Sequence, residues 1–216
     1  MSLEGKLVSF EGIDGCGKGT QLKLLREALE TRETSFSMYR EPGGSPVAER
    51  IRSILLDPEA EMDDLTEMNL FYSARSDLAH NKTRPDLANG KLVLLDRYYD
   101  STRAYQGAGR FRNEPKKIEL INAQNKLYPA PTKTIYLQIS VEESTKRLAN
   151  QIRDRMELND VAFYARTKMA YDEIADKESH RFVTIDGTLD PQEIHQDYVM
   201  PVIDGLYRTR TRSSSA

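Results

Sequence analysis

The chain has 216 residues, 38% of them apolar and 30% charged, with a formal net charge of −3 at pH 7; this is enough for one domain, or two small ones, with a buried core, and it excludes a general nucleic-acid-binding surface, which requires a basic face. The single cysteine, Cys16, excludes an intramolecular disulfide and fits a reducing, cytoplasmic setting. No apolar run approaches the roughly 20 residues of a membrane span, and the opening Met1-Ser-Leu-Glu-Gly-Lys6 is too polar for a signal peptide.

Residues 6–11 read as a strand running straight into Gly12-Ile-Asp-Gly-Cys-Gly-Lys-Gly-Thr20, with a helix over 20–30 behind it. Gly12, Gly15 and Gly17 have no Cβ to hold the backbone away from an anion, so their N–H groups are free to point inward. Lys18 brings an ammonium to the outer phosphates of a nucleotide, with the positive end of the helix behind them. Gly12, Gly17 and Lys18 match the phosphate-loop pattern G-x-x-x-x-G-K in its required strand–loop–helix setting. The residue after the lysine is Gly19, where Ser or Thr is usual, so Mg²⁺ ligation falls to Thr20 or to water. Cys16 reads as a small neutral filler, and the loop itself carries no arginine.

A strand over 35–39 leads into Arg40-Glu-Pro-Gly-Gly44, whose Pro-Gly-Gly is turn chemistry. Arg40 reads equally as a second anion ligand or as a solvated loop charge. Helices follow over 47–56 and 66–84. Phe71 and Arg75 lie four apart in the second and share a face, where a ring beside a guanidinium suits a flat heterocycle. Leu65, Met68, Phe71, Tyr72, Leu78 and Ala79 also make a core stripe, which is the plainer account of Phe71. Gly90 stops the helical stretch. The strand over 92–95 ends in Asp96, where a phosphate-loop fold brings a carboxylate toward Mg²⁺. Arg97 beside it is poised to fork onto phosphate oxygens, the alternative being a partner for a nearby carboxylate such as Asp96 or Asp100. In Ser101-Thr-Arg-Ala-Tyr-Gln-Gly107, Tyr105 and Gln106 are contacts to a sugar or base, or else the packing of a helix start.

Helices over 116–127, 141–149 and 161–177 alternate with strands over 134–139 and 182–185, and Asp190-Pro191 caps a last helix over 191–206. Arg147, Arg153 and Arg155 cluster between 147 and 160, a stretch poor in core residues. Such a segment suits a lid that brings cations to transferring phosphoryl oxygens; a solvated charged helix end is the alternative. The three histidines, His80, His180 and His195, are unpaired and mark no Cys/His metal site. The alternation predicts an α/β fold of the P-loop NTPase type, in three layers with a five-stranded parallel sheet flanked by helices. One domain is expected over 1–206, with a polar tail over 207–216, and the ligand beyond the carboxyl ends of the strands.

In this order, Phe10-Glu-Gly-Ile-Asp-Gly-Cys-Gly-Lys-Gly-Thr-Gln21, Arg40-Glu-Pro-Gly-Gly44, Phe71-Tyr-Ser-Ala-Arg75 and Asp96-Arg-Tyr-Tyr-Asp-Ser-Thr-Arg-Ala-Tyr-Gln-Gly107 resemble the motifs of the thymidylate kinase family, in its bacterial form. The resemblance implies transfer of the γ-phosphoryl group of ATP to dTMP with Mg²⁺, in dTTP synthesis for DNA. It also implies a homodimer whose other partners are small molecules. Gly12, Ile13, Asp14, Gly15, Cys16, Gly17, Lys18, Gly19 and Thr20 would then hold the ATP phosphates. Asp14 would lie near the deoxyribose 3′-hydroxyl or the metal, with Thr20 and Asp96 also at the metal. Phe71 would stack on thymine and Arg75 would hydrogen-bond its edge. Arg40 and Arg97 would bind the acceptor phosphate, Ser101 would line the acceptor site, Tyr105 would crowd the sugar 2′ position, and Gln106 would approach the base. Lys18, Asp14, Arg97, Arg153 and Arg155 would form the catalytic set, the last two in the lid. Gly19 and Ser45 depart from the usual family residues. The remaining readings are another nucleoside-monophosphate kinase, for AMP or dUMP, and a phosphate-loop switch NTPase.

Overall fold

The computed structural model describes residues 5–149 and 154–208. Strands β1 (Lys6–Glu11), β2 (Phe36–Arg40), β3 (Leu92–Asp96), β4 (Lys133–Gln138) and β5 (Phe182–Asp186) form one parallel sheet in the order β2-β3-β1-β4-β5. All five lie within one residue of their expected bounds. Strand β3 is an unbroken apolar run because both its neighbours are strands and both its faces are covered. Its register sets Phe10 and Arg40 level with Asp96, so the exits of β1, β2 and β3 converge.

Helices α1 (Lys18–Thr31), α2 (Pro46–Leu56) and α3 (Asp64–Leu78) follow, and α3 continues through a π-helical turn, Ala79–Thr83, into α4 (Arg84–Ala88). After β3 come α5 (Tyr99–Thr102), a π-helical segment Arg103–Arg110, and α6 (Pro115–Asn125). Beyond β4 lie α7 (Val141–Leu148), α8 (Val161–Lys177), α9 (Pro191–Glu193), a third π-helical turn (Ile194–Val199) and α10 (Met200–Arg208). Asp63, Ser140, Asp160 and Asp190 accept hydrogen bonds from the first N–H groups of their helices, which otherwise lack partners. Gly90 ends α4 in the left-handed region (φ 76°), as expected.

The continuous helical stretch from Tyr99 to Arg110 was not foreseen. Its glycines lower local helix propensity, but they are what lets it form here. A Cβ on Gly109 would stand 2.5 Å from the Phe163 ring, so glycine is needed where α8 packs on this segment. One apolar layer, including Phe10, Leu94, Ile135 and Tyr171, fills the sheet face under α1 and α8. On the other face Leu7, Val93, Leu95 and Tyr98 pack with Leu78 and Leu87. Among the described residues no helix is long and apolar enough to cross a membrane.

Candidate functional site

A cleft of about 700 Å³ opens at the carboxyl ends of the strands, lined by the phosphate loop at one end and by Phe71, Arg75 and Gln106 at the other. At the loop, Gly12, Gly15 and Gly17 all have positive φ (138°, 77° and 102°). A Cβ on Gly12 would lie 2.5 Å from the Leu137 carbonyl oxygen and 2.7 Å from Cys16 Sγ, which makes glycine obligatory there. Cys16 is buried behind the loop, in line with its reading as a filler. Lys18 lines the cleft and donates through Nζ to the carbonyls of Gly12 (3.1 Å) and Ile13 (3.3 Å). A Cβ at Gly19 would meet nothing within 4 Å, so protein packing does not require glycine at that position. Thr20 also lines the cleft.

Arg97 leaves β3 with φ 67°, a left-handed backbone that turns its side chain back across the loop. Its Nη1 donates to Gly12 O (3.0 Å), and its Nη2 donates to Asp14 Oδ1 and to Tyr105 OH (3.0 Å). Tyr105 OH in turn donates to Asp14 Oδ2 at 2.9 Å. Burial pushes the Asp14 carboxyl up, but the Arg97 guanidinium and the Lys18 ammonium outweigh it and hold the group below its ordinary value. Asp14, Arg97 and Tyr105 are therefore one charged cluster between the loop and the far end of the cleft. Behind it lies Glu11, fully buried, accepting from Tyr98 N (2.7 Å), Ser101 Oγ (2.6 Å) and Tyr171 OH (2.7 Å). Burial, then the Asp100 charge, push its carboxyl up to about 7. Ser101 lines the cleft, with its hydroxyl committed to Glu11.

At the opposite end Phe71 is half-buried on the cleft wall, not sealed into the core stripe with Met68, Tyr72 and Leu78. Arg75, one turn on, is 2% exposed; it donates through Nε to Glu41 Oε2 (2.7 Å) and through Nη2 to Thr102 Oγ1 (3.0 Å). Its remaining nitrogen, Nη1, is buried without a partner. Unpaired buried donors are rare and expensive, and this one sits on a residue that lines the cleft. Arg40 lies on the cleft rim in an exposed ion pair with Glu49 (2.9 Å), a kind of pair that gives way for about 1 kcal/mol or less. Gln106 is buried and donates to Glu67 Oε1 at 2.9 Å.

Of two further lining arginines, Arg52 went unnoticed in the sequence, and Arg147 was read there only as a member of the lid cluster. Arg52, on α2, donates to the Pro42 carbonyl (2.8 Å) and lines the cleft; nothing local to its helix marks it. Arg147 ties Gly15 O (3.1 Å) to Gly187 O (3.1 Å) and lines both the main cleft and a groove of about 310 Å³ that runs behind the loop to Asp190 and Pro191. Of the two expected lid arginines, Arg153 lies outside the described residues. Arg155 does not line the cleft; Glu67 holds its guanidinium at 2.8 Å.

Among the described residues no three His, Cys, Asp or Glu side chains are placed to cage a metal ion. Mg²⁺ needs no such cage, because it takes one or two protein oxygens and completes its shell with phosphates and water. The Asp96 carboxylate makes no hydrogen bond or ion pair among the described residues, and Asp96 and the exposed residue Thr20 both line the cleft. Their hard oxygens suit the ion. Asp14 has both carboxylate oxygens engaged by Arg97 and Tyr105.

Residues 10–198 match the family model of thymidylate kinase. The chain belongs to the thymidylate kinase family. It is 39% identical over 197 residues to the thymidylate kinase of Thermoanaerobacter sp. (strain X514), covering 91% of this chain and 97% of that one. It is 40% identical over 194 residues to the thymidylate kinase of Fervidobacterium nodosum, covering 89% and 95%. Among solved structures, thymidylate kinase from Ehrlichia chaffeensis superposes with a TM-score of 0.74 at 30% identity, over 93% of this chain and 98% of that one. Membership in this family of nucleotide kinases sets aside the switch-NTPase reading.

Proposed function

We propose that this cleft transfers the γ-phosphoryl group of ATP to dTMP, forming ADP and dTDP, as its family membership implies. The observation that carries the reading is the joining, in one cavity, of a phosphate loop to a second cationic centre and then to an aromatic wall with an unsatisfied guanidinium. A hydrolase has no use for the second half.

Phosphoryl transfer asks little covalent chemistry of a protein; it needs two anions held in line and their charge neutralised. The loop amides and Lys18 hold the donor phosphates. Arg97 and Arg40 take the acceptor phosphate, with Arg52 beside them, and Phe71 and Arg75 hold the base, Arg75 through its free Nη1. Tyr105 stands against the sugar and Gln106 near the base, with Ser101 lining the same wall. The groove beside Arg147 is of a size to take the donor base. Asp96 and Thr20 are the residues that would hold Mg²⁺, directly or through water, and the ion would supply charge neutralisation there. Asp14 acts from the loop by orienting Arg97 and Tyr105. No general base is needed, since the attacking phosphate oxygen is already ionised. Arg153 and Arg155 remain the lid candidates by resemblance, and Arg155 would have to leave Glu67 to reach a phosphate.

That every strand among the described residues belongs to one sheet supports reading 1–206 as a single working domain. A homodimer and a cytoplasmic setting complete the proposal. Val47 and Ile54, both about half exposed and seven apart on α2, leave apolar surface available for a second copy. The test is ADP release from Mg·ATP with dTMP, dUMP, AMP, CMP, GMP or no acceptor. Turnover with dTMP far above the rest is expected. Activity with AMP, or steady hydrolysis without acceptor, would overturn the base site while leaving the phosphate loop intact.

A further inference from the structure

Glu67 lies one turn before Phe71 on α3, so Glu67, Phe71 and Arg75 follow each other at intervals of four along one face. Its carboxylate is 2% exposed and receives donors from two other segments. Gln106 Nε2 (2.9 Å) and both Arg110 nitrogens, Nε and Nη2 (3.1 Å each), come from the π-helical segment; Arg155 Nη2 (2.8 Å) comes from the far side of the lid region. Burial pushes the Glu67 carboxyl up, but these donors, Arg110 foremost, outweigh it, and the group stays ionised below its ordinary value.

Arg155 has a second attachment. Its Nε donates to Leu55 O (2.8 Å) and its backbone N–H to Leu56 O (3.3 Å). These are the last carbonyls of α2, which have no partner within the helix and carry its negative end. One side chain therefore closes α2 and neutralises a buried carboxylate of α3. Its neighbours Asp154, Met156 and Glu157 are thereby set into the wall of the cleft. Arg110 completes the arrangement, reaching Asn159 Oδ1 (2.5 Å) and lying 4.8 Å over the Phe163 ring.

We propose that Glu67 is a positioning residue for the acceptor, a mooring post that fixes Gln106 and the segment 154–157 together against α3, with Arg155 as the line. The inference rests on reading this end of the cleft as the dTMP site. It assigns Arg155 an anchoring role in place of contact with the phosphates. Because the base-side residue Gln106 and the wall segment share one carboxylate, loosening either partner disturbs acceptor binding and leaves the donor end alone.

The test combines steady-state kinetics of Glu67→Gln, Arg155→Met and the double variant with amide hydrogen exchange of the full chain. Each single variant is expected to raise the KM for dTMP about ten-fold, with the KM for ATP and kcat moving by less than about three-fold. The double variant should be no worse than the poorer single one, because both remove the same contact. Exchange at the amides of residues 154–158 should quicken in Arg155→Met without nucleotide. A kcat loss of about a hundred-fold or more in Arg155→Met, additive with Glu67→Gln, would overturn the proposal and return Arg155 to the transferring phosphates. An unchanged KM for dTMP in Arg155→Met, or unchanged exchange, would overturn it as well. If the wild-type chain failed to use dTMP the functional reading would fail, while the exchange result would still report on the mooring.

Discussion

The buried pair Arg75–Glu41 performs two tasks that one double-variant experiment separates. Both side chains are almost wholly inside, at 2% and 5% exposure, and they meet at 2.7 Å. Replacing Arg75 by Met keeps an unbranched stem among the Tyr72, Tyr98 and Tyr128 rings, which stand 5.2, 5.5 and 5.9 Å from the guanidinium. It leaves Glu41 without its counter-charge. Burial already pushes the Glu41 carboxyl up and Arg75 pulls it back, so the orphaned acid is expected to cost about 3–5 kcal/mol. For a chain of this size that is a fall of about 10 °C in the unfolding midpoint. Adding Glu41→Gln removes the stranded charge and is expected to return most of the loss, since replacing both partners of such a pair is near neutral. Binding should not follow stability. The unpartnered Nη1 is a charged donor, and a hydrogen bond from it to the base is worth about 1.5–3 kcal/mol, a rise in the KM for dTMP of about 10- to 100-fold. The assays are thermal unfolding and ADP release with dTMP or ATP varied. Recovery of the KM for dTMP in the double variant, together with stability, would refute the reasoning and make Arg75 purely structural. Equal rises for dTMP and ATP would do the same.

Lys18→Ala is expected to lower kcat by about 10²–10³-fold while circular dichroism stays unchanged, because the ammonium packs against loop carbonyls and not against the core. Retained turnover would remove the loop from the mechanism. Glu11 gives a pH signature. Its folded value is raised from 4.5 to about 7, so the folded chain holds this proton more tightly than the unfolded one. The associated stability is complete below about pH 4.5, is lost as the pH rises to about 7, and is on the order of 3 kcal/mol. Glu11→Gln cannot titrate, so its urea midpoint should gain on the wild type from pH 5 to about pH 7 and level off above that; a constant difference would contradict the assignment. Gly109→Ala should destabilise by about 1–3 kcal/mol by driving a methyl into Phe163, and an unchanged unfolding midpoint would show that α8 yields without strain.

The sheet and most helices were legible because a parallel sheet writes itself as short apolar runs between 3.6-residue periodicities, as in residues 92–95 and 161–177. Strand order was not legible, since nothing in β4 names β1 as its neighbour. The phosphate loop and Asp96-Arg97 were legible because their chemistry is contiguous. Tyr99–Arg110 was hidden because its glycines read as helix breakers until Phe163, more than fifty residues away, explains them. The destination of Arg155 was hidden for the same reason: its partner Glu67 is 88 residues distant in the chain. Arg52 shows the limit of motif reading. It is an ordinary helical arginine until the fold turns it toward a cavity.

The sheet order has a consequence for how such a chain can diversify. Strands β2 and β3 lie to one side of β1, and β4 and β5 to the other. The residues assigned to the acceptor accordingly fall mainly between 40 and 110, and those beside the donor groove mainly between 137 and 194, with the phosphate loop shared. Exchange of chain segments between relatives, with a crossover near α6, would carry one nucleotide preference across without the other. The seam such a chimera must respect includes Gly109 against Phe163, Arg97 and Glu11 against Tyr171, Glu67 against Arg155, and Arg110 against Asn159. Parents that match at those contacts should recombine into folded enzymes whose two specificities come from different ancestors.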